Sequence, residues 1–159
     1  MRKIDSLLEE YGESHQNPTN KLIHWICVPS IFFSIVGLIF SIPAGFLPEA
    51  LPFLGEFANW ATIILLIVLI YYISLSVPLT LGMALFSGIC LALANALEIA
   101  FPGKLWLISL GIFVVAWIGQ FYGHNVEGKK PSFFKDLQFL MIGPAWLMHF
   151  IYKRVGIAY

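Results

Sequence analysis

Apolar positions along the chain fall into long runs separated by short polar stations, and the spacing within each run sets what it predicts. In residues 2–13, Ile4, Leu7, Leu8 and Tyr11 recur at helical spacing with Asp5, Glu9, Glu10 and Glu13 on the other side. This pattern predicts a short amphipathic helix, lying on a membrane surface or packed against a bundle. Residues 22–40 are almost wholly apolar and, at ~1.5 Å per residue, long enough to cross most of a ~30 Å hydrocarbon core. Residues 60–77 form a second run, with Trp60 and the Tyr71-Tyr72 pair as interfacial or packing aromatics. Pro78 interrupts an apolar stretch that continues to residue 101 and is too long for one crossing. Two spans joined by a tight turn fit it best, over a kinked helix or a re-entrant segment.

The third span, 79–101, carries Gly82, Ala84, Ser87, Gly88, Ala92, Ala94 and Ala96, small residues that let helices approach closely in lipid and leave room for a homodimer. Pro102-Gly103-Lys104 makes a turn, and 105–122 is a fourth span. Residues 41–59, with Pro43, Gly45, Pro48, Pro52, Gly55, Glu49 and Glu56, read as a loop. Lys129, Lys130, Pro131 and Lys135 mark a surface loop, and 133–140 can be amphipathic. Gly143-Pro144 breaks or kinks a final segment that crosses as a fifth span or dips in and returns. The expectation is an all-α, polytopic membrane helix bundle of four to five spanning or re-entrant helices. A short amphipathic helix at 1–16 precedes the bundle at 20–155 within one membrane-embedded domain.

Composition sharpens this. Of 159 residues, 59% are hydrophobic and 11% charged, against about a quarter charged in soluble domains, so the chain reads as an integral membrane protein. A net charge of zero without a basic block offers nothing to nucleic acid. Cys27 and Cys90 sit in apolar runs without a CxxC spacing, so they read as small buried hydrophobes rather than a redox or zinc motif. The charged first 13 residues lack the apolar core and cleavage site of a signal peptide, so the first span is expected to insert uncleaved.

Candidate chemistry gathers in two polar clusters. The first runs from His15 to His24. On one unbroken helix these two would point about 180° apart, but Pro18 lacks an amide hydrogen and disfavours helical geometry at Asn17. The chain therefore breaks at Asn17 and frees His15 to fold back towards His24. Asn20 and His24, four apart, share a face on which an amide can bond an imidazole or share a bound ion with it. The second cluster places Gln120, His124 and Glu127 within about 60° of one another on a helix. Four spans between the clusters return the chain to one side. Arg2, Lys3 and Lys21 flank the first cluster and Lys129, Lys130 and Lys135 follow the second, so the positive-inside rule makes that side cytoplasmic.

All four histidines, His15, His24, His124 and His149, thus lie at or near polar clusters on one side. Ionisable groups in membrane segments are costly and face partners or cavities, so the set reads as a metal site, with single interfacial histidines as the alternative. Imidazole suits iron, zinc or copper, and the residues alone leave the metal undecided.

Three ordered motifs resemble the Mpo1-like family of small membrane proteins. They are His15-x4-Asn20-x3-His24-Trp25 with Pro29 after it, Trp117-x2-Gln120-x2-Gly123-His124-x2-Glu127 followed by Lys130-Pro131, and Gly143-Pro144 near the end. The resemblance covers essentially the whole chain. It implies an iron(II)-dependent dioxygenase of fatty acid α-oxidation in the endoplasmic reticulum or a bacterial inner membrane. Such an enzyme uses O2 to cleave the C1–C2 bond of a 2-hydroxy fatty acid and leaves the acid one carbon shorter. It also implies His15, His24, His124 and His149 as iron ligands. A 2-hydroxy acid offers carboxylate and hydroxyl oxygens as a bidentate ligand, and its tail can stay among the membrane lipid and apolar helices. Asn20, Gln120 and Asn125 are then candidates to orient ligands or hydrogen-bond oxygen. Glu127 is a ligand, a base near the metal or a solvated carboxylate, and Lys21, Lys129 and Lys130 attract the carboxylate or are ordinary interfacial lysines. The competing readings are a non-catalytic membrane protein that binds metal or lipid without turnover, and a packing subunit of a larger complex.

Overall fold

The computed structural model describes residues 2–128 and 139–159; the expected basic loop at Lys129, Lys130, Pro131 and Lys135 and most of the 133–140 stretch lie outside them. All regular elements among the described residues are helical. They are α1 (Lys3–Glu13), α2 (Pro18–Phe40), α3 (Leu47–Ala50), a 3-10 segment (Pro52–Phe57), α4 (Trp60–Leu75), α5 (Val77–Ala100), α6 (Leu105–Val126) and α7 (Ile142–Val155). The stretch expected as a loop at 41–59 therefore contains two short helical turns.

Three helices, α2, α5 and α6, are long and apolar enough to cross a membrane. This does not confirm the expected count of four to five. At ~1.5 Å per residue, the 16 residues of α4 and the 14 of α7 give about 24 and 21 Å, short of a ~30 Å core. Even so, α4 connects the two ends of the bundle. Trp60 Nε1 donates to the Pro43 carbonyl at one end (3.1 Å), and the Tyr72 hydroxyl donates to the Met141 carbonyl at the other (2.5 Å). The break near Pro78 is a single residue. Ser76 adopts an extended conformation, ends α4 and caps α5, with Pro78 in the first turn where its missing amide costs nothing. The helices then lie antiparallel, Ala61 and Leu65 clustering with Ala94 and Cys90, and Tyr72 with Leu79 and Met83.

The closest seam joins α2 and α6, also antiparallel. At one end Gly37 lies against Ser109 and Leu105; at the other, Gly119 lies against Cys27 and Gly123 against Asn20. Gly119 and Gly123 are one turn apart, the small-xxx-small spacing that brings backbones together in lipid. The small residues of the expected third span do less: Gly82 receives Met148 and Tyr152 of α7, while Gly88 has nothing within 4 Å. Both cysteines are buried and free of any disulfide. The amphipathic face of α1 buries Ile4, Leu8 and Tyr11 against Ala145 and Trp146 of α7, so it packs on the bundle. Pro144 falls in the first turn of α7, so the Gly143-Pro144 pair starts that helix rather than kinking it.

Because α2, α4, α5 and α6 alternate in direction, the start of α2 and the end of α6 share one end of the molecule. An added Cβ at Gly123 would sit 2.4 Å from Asn20 Oδ1, and one at Gly119 would sit 2.6 Å from Cys27 Sγ. Gly123→Ala and Gly119→Ala should each destabilise the protein by about 1–3 kcal/mol through overpacking. Gly88→Ala should be neutral or gain up to about 1 kcal/mol of helix propensity. Thermal unfolding in detergent ranks the three; equal midpoints would contradict the seam.

Candidate metal centre

The elbow between α1 and α2 is built by short-range chemistry. Ser14 caps α1, and the His15 amide closes a turn on the Gly12 carbonyl (3.0 Å). Asn17 is extended, as a residue before proline prefers, and its side chain accepts from the Thr19 amide (2.8 Å) to cap α2. The fold-back sets the His15 ring 4.2 Å from that of His24. His124, in the last turn of α6, completes the group, its ring 5.2 Å from His24 and 5.6 Å from His15. One ring nitrogen from each of the three lies within 4.8 Å of the others, and all three side chains are buried.

Two of the rings have their tautomers fixed by the backbone. His15 Nδ1 bonds the Tyr11 carbonyl (2.6 Å) and His24 Nδ1 the Asn20 carbonyl (2.9 Å). A carbonyl only accepts, so each Nδ1 carries the proton and the lone pair of the neutral ring is on Nε2. The i,i+4 pair of Asn20 and His24 is thus joined through the backbone rather than through the amide. Tyr11 stacks on His15 at 4.3 Å and Trp146 stands 5.4 Å away, two aromatic walls that the histidine pattern alone did not reveal.

The donor set fits a first-row metal ion. Three buried imidazoles suit iron, zinc or copper, and the Nδ1–H bonds of His15 and His24 to carbonyls are outer contacts of the kind that orient metal-binding histidines. Metal–nitrogen bonds of ~2.1 Å at tetrahedral angles set nitrogens about 3.4 Å apart, so the rings need close by only about an ångström. A cavity of about 20 Å³, the size of one water, lies beside His24 and is bordered by Gln120, Trp117, Leu140 and Gly143. Gln120 is buried, and its Oε1 meets no donor among the described residues, as expected of a group facing a polar guest.

The remaining expected site residues separate. Asn20 is fully buried, and its amide donates to the Ser14 carbonyl (3.2 Å) and to Glu127 Oε2 (3.0 Å). Glu127 is not in the histidine group: its carboxylate accepts from the Gln16 amide (2.8 Å) and the Asn17 amide (2.9 Å) as well as from Asn20. Asn125 is exposed. His149 also stands outside the group and shares a hydrogen bond with the Tyr159 hydroxyl. Gly143 borders the cavity, and His149 lies six residues further along α7, about 9 Å down its axis.

The model of the family described as 2-hydroxy-palmitic acid dioxygenase Mpo1-like matches residues 1–155. The chain belongs to the Mpo1-like family. The 2-hydroxy-palmitic acid dioxygenase MPO1 of Saccharomyces cerevisiae (strain ATCC 204508 / S288c) is 30% identical over 154 residues, covering 94% of this chain and 80% of the yeast protein. No solved structure matches.

In this Mpo1-like chain, burial pushes the Glu127 carboxyl up, but the donors from Asn20, Asn17 and Gln16 outweigh it and hold it below the usual glutamate range. A carboxylate with a depressed folded pKa contributes stability above its unfolded pKa and loses it as pH falls through the folded value. Glu127→Gln should therefore destabilise the elbow by about 1–3 kcal/mol near neutral pH, at the low end because the group is half-exposed. The difference from the parent should shrink below the ordinary glutamate pKa. Detergent unfolding midpoints across that range check this; a pH-independent difference would contradict it.

Proposed function

We propose that this chain is an iron(II)-dependent dioxygenase of fatty acid α-oxidation that cleaves the C1–C2 bond of 2-hydroxy long-chain acids to give the acid one carbon shorter. The observation that carries the reading is three buried histidines, two of them oriented by backbone carbonyls, converging at the polar end of an apolar bundle, in a chain similar to a yeast protein named for a 2-hydroxy acid and a dioxygenase. His15, His24 and His124 hold the metal. Iron(II) bound there supplies redox chemistry towards dioxygen and a Lewis-acidic anchor for the carboxylate and 2-hydroxyl oxygens.

The chain's own groups do the rest. The Gln120 amide, bordering the small cavity beside His24, hydrogen-bonds a substrate oxygen. Asn20 presents the carbonyl that orients His24, and Glu127 holds the elbow that carries His15, so both act as positioning residues. The aromatic walls of Tyr11, Trp117 and Trp146 keep bulk water from the centre, which strengthens each polar contact inside it. Among the described residues, Arg2, Lys3, Lys21, Lys153 and Arg154 lie near the site's end of the bundle, and Lys104 is the one basic residue at the other. This distribution supports an integral membrane protein with its metal on the cytoplasmic side.

The test is anaerobic purification in detergent with elemental analysis, then oxygen uptake with and without 2-hydroxyhexadecanoic acid. The expected result is one iron per chain, substrate-dependent uptake and pentadecanoic acid as product. Bound metal without uptake would favour a carrier, and absence of metal would remove the site. His24→Ala and His124→Ala should each lose metal while keeping the helical circular dichroism signal; full metal occupancy in both would rule out a shared centre.

A further inference from the structure

A stripe on one face of α2 leads away from the histidines. His24, Val28, Ile31, Ile35 and Ile39 are four, three, four and four residues apart, so they fall on one side of the helix. The first three border the small cavity. Ile35 and Ile39 border a second cavity of about 330 Å³ between α2 and α4, whose lining is apolar throughout. Leu140 borders both, so the two adjoin at that side chain. From His24 to Ile39 the helix rises about 22 Å, enough for a chain that covers about 15 Å, half of a ~30 Å core, in one leaflet. Ile64, at the α4 edge of the groove, is exposed and leaves it open sideways to lipid.

We propose that the α2/α4 groove holds the acyl tail of the substrate, with its head group beside His24 and Gln120 and its methyl end towards Ile39 and Ile64, which set the accepted chain length. The identity of the head group rests on the function proposed above; the path of the tail does not. A larger cleft of about 640 Å³, bordered by Lys21, Trp25, Phe150 and Arg154, is the rival location. It is walled from His15 by the buried Trp146.

The test uses the full chain, metal-free, in lipid nanodiscs, with two photoactivatable hexadecanoic acids carrying a diazirine at the methyl end or next to the carboxyl end. Peptide mass spectrometry should find the methyl-end label within 35–39 and 61–65, and the carboxyl-end label within 28–31 or 140–143. Excess 2-hydroxyhexadecanoic acid should compete with both labels, and phosphatidylcholine should not. Ile64→Trp, at an exposed position that tolerates bulk, should lower methyl-end labelling by about tenfold, the loss of roughly two buried methylenes, while sparing a 12-carbon probe. Label on 25 and 150–155, or spread evenly over the outer faces of α5 and α6, would overturn the proposal. Because no metal is present, correct labelling without oxygen uptake in the earlier assay would keep the groove and discard the dioxygenase.

Discussion

The Glu127 carboxylate is the constraint on which the centre depends. It sits just past the end of α6 and accepts from two backbone amides of the elbow and from the Asn20 side chain at the start of α2. A helix N-terminus presents unsatisfied amides and a partial positive charge, so an anion there is stabilised twice over, by hydrogen bonds and by the dipole. Here the anion belongs to another helix, and the bond becomes a clamp between chain segments more than a hundred residues apart. The Gly119 and Gly123 seam brings α2 and α6 close enough for the clamp to reach. His15 on the elbow and His24 on α2 are thereby fixed against His124, three residues before the clamp itself.

The interior of the centre follows from burial. A charged imidazolium would be costly there, and the carbonyls of Tyr11 and Asn20 take the Nδ1 protons of two neutral rings. That places the lone pair of each neutral ring on Nε2. Carbonyls one helical turn earlier orient the rings, so the helices themselves supply the outer hydrogen bonds. On the function proposed above, apolar helices surrounding such a point suit an amphiphile whose polar end reaches the metal and whose tail stays in lipid.

Much of this was legible in the sequence because it rests on local rules. Pro18 forces the break whatever the tertiary fold, the apolar runs are long enough to identify as helices, and an even number of passes brings the two polar clusters to one end. The shortness of α4 was less visible: its capping residues Asn59 and Ser76 trim an apolar run whose composition alone continues further. The fourth histidine shows a related limit. Its place near a polar cluster fixed the end of the molecule but not its distance along α7, and that distance carries it past the cavity to Tyr159. Glu127 showed the same limit. Its position on the polar stripe was readable, whereas its partners were backbone amides, which leave no signature in composition. The Gly119-x3-Gly123 spacing carries the seam in the sequence, but small residues are more numerous on α5, so their number alone points to the wrong helix.

X-ray absorption of the iron(II)-loaded protein tests the central claim, that these three histidines form one metal centre, most directly. The account predicts outer-shell scattering from three imidazoles, reduced to two in His15→Ala and unchanged in His149→Ala. Scattering that lacks imidazole, or that falls when His149 rather than His15 is removed, would contradict it.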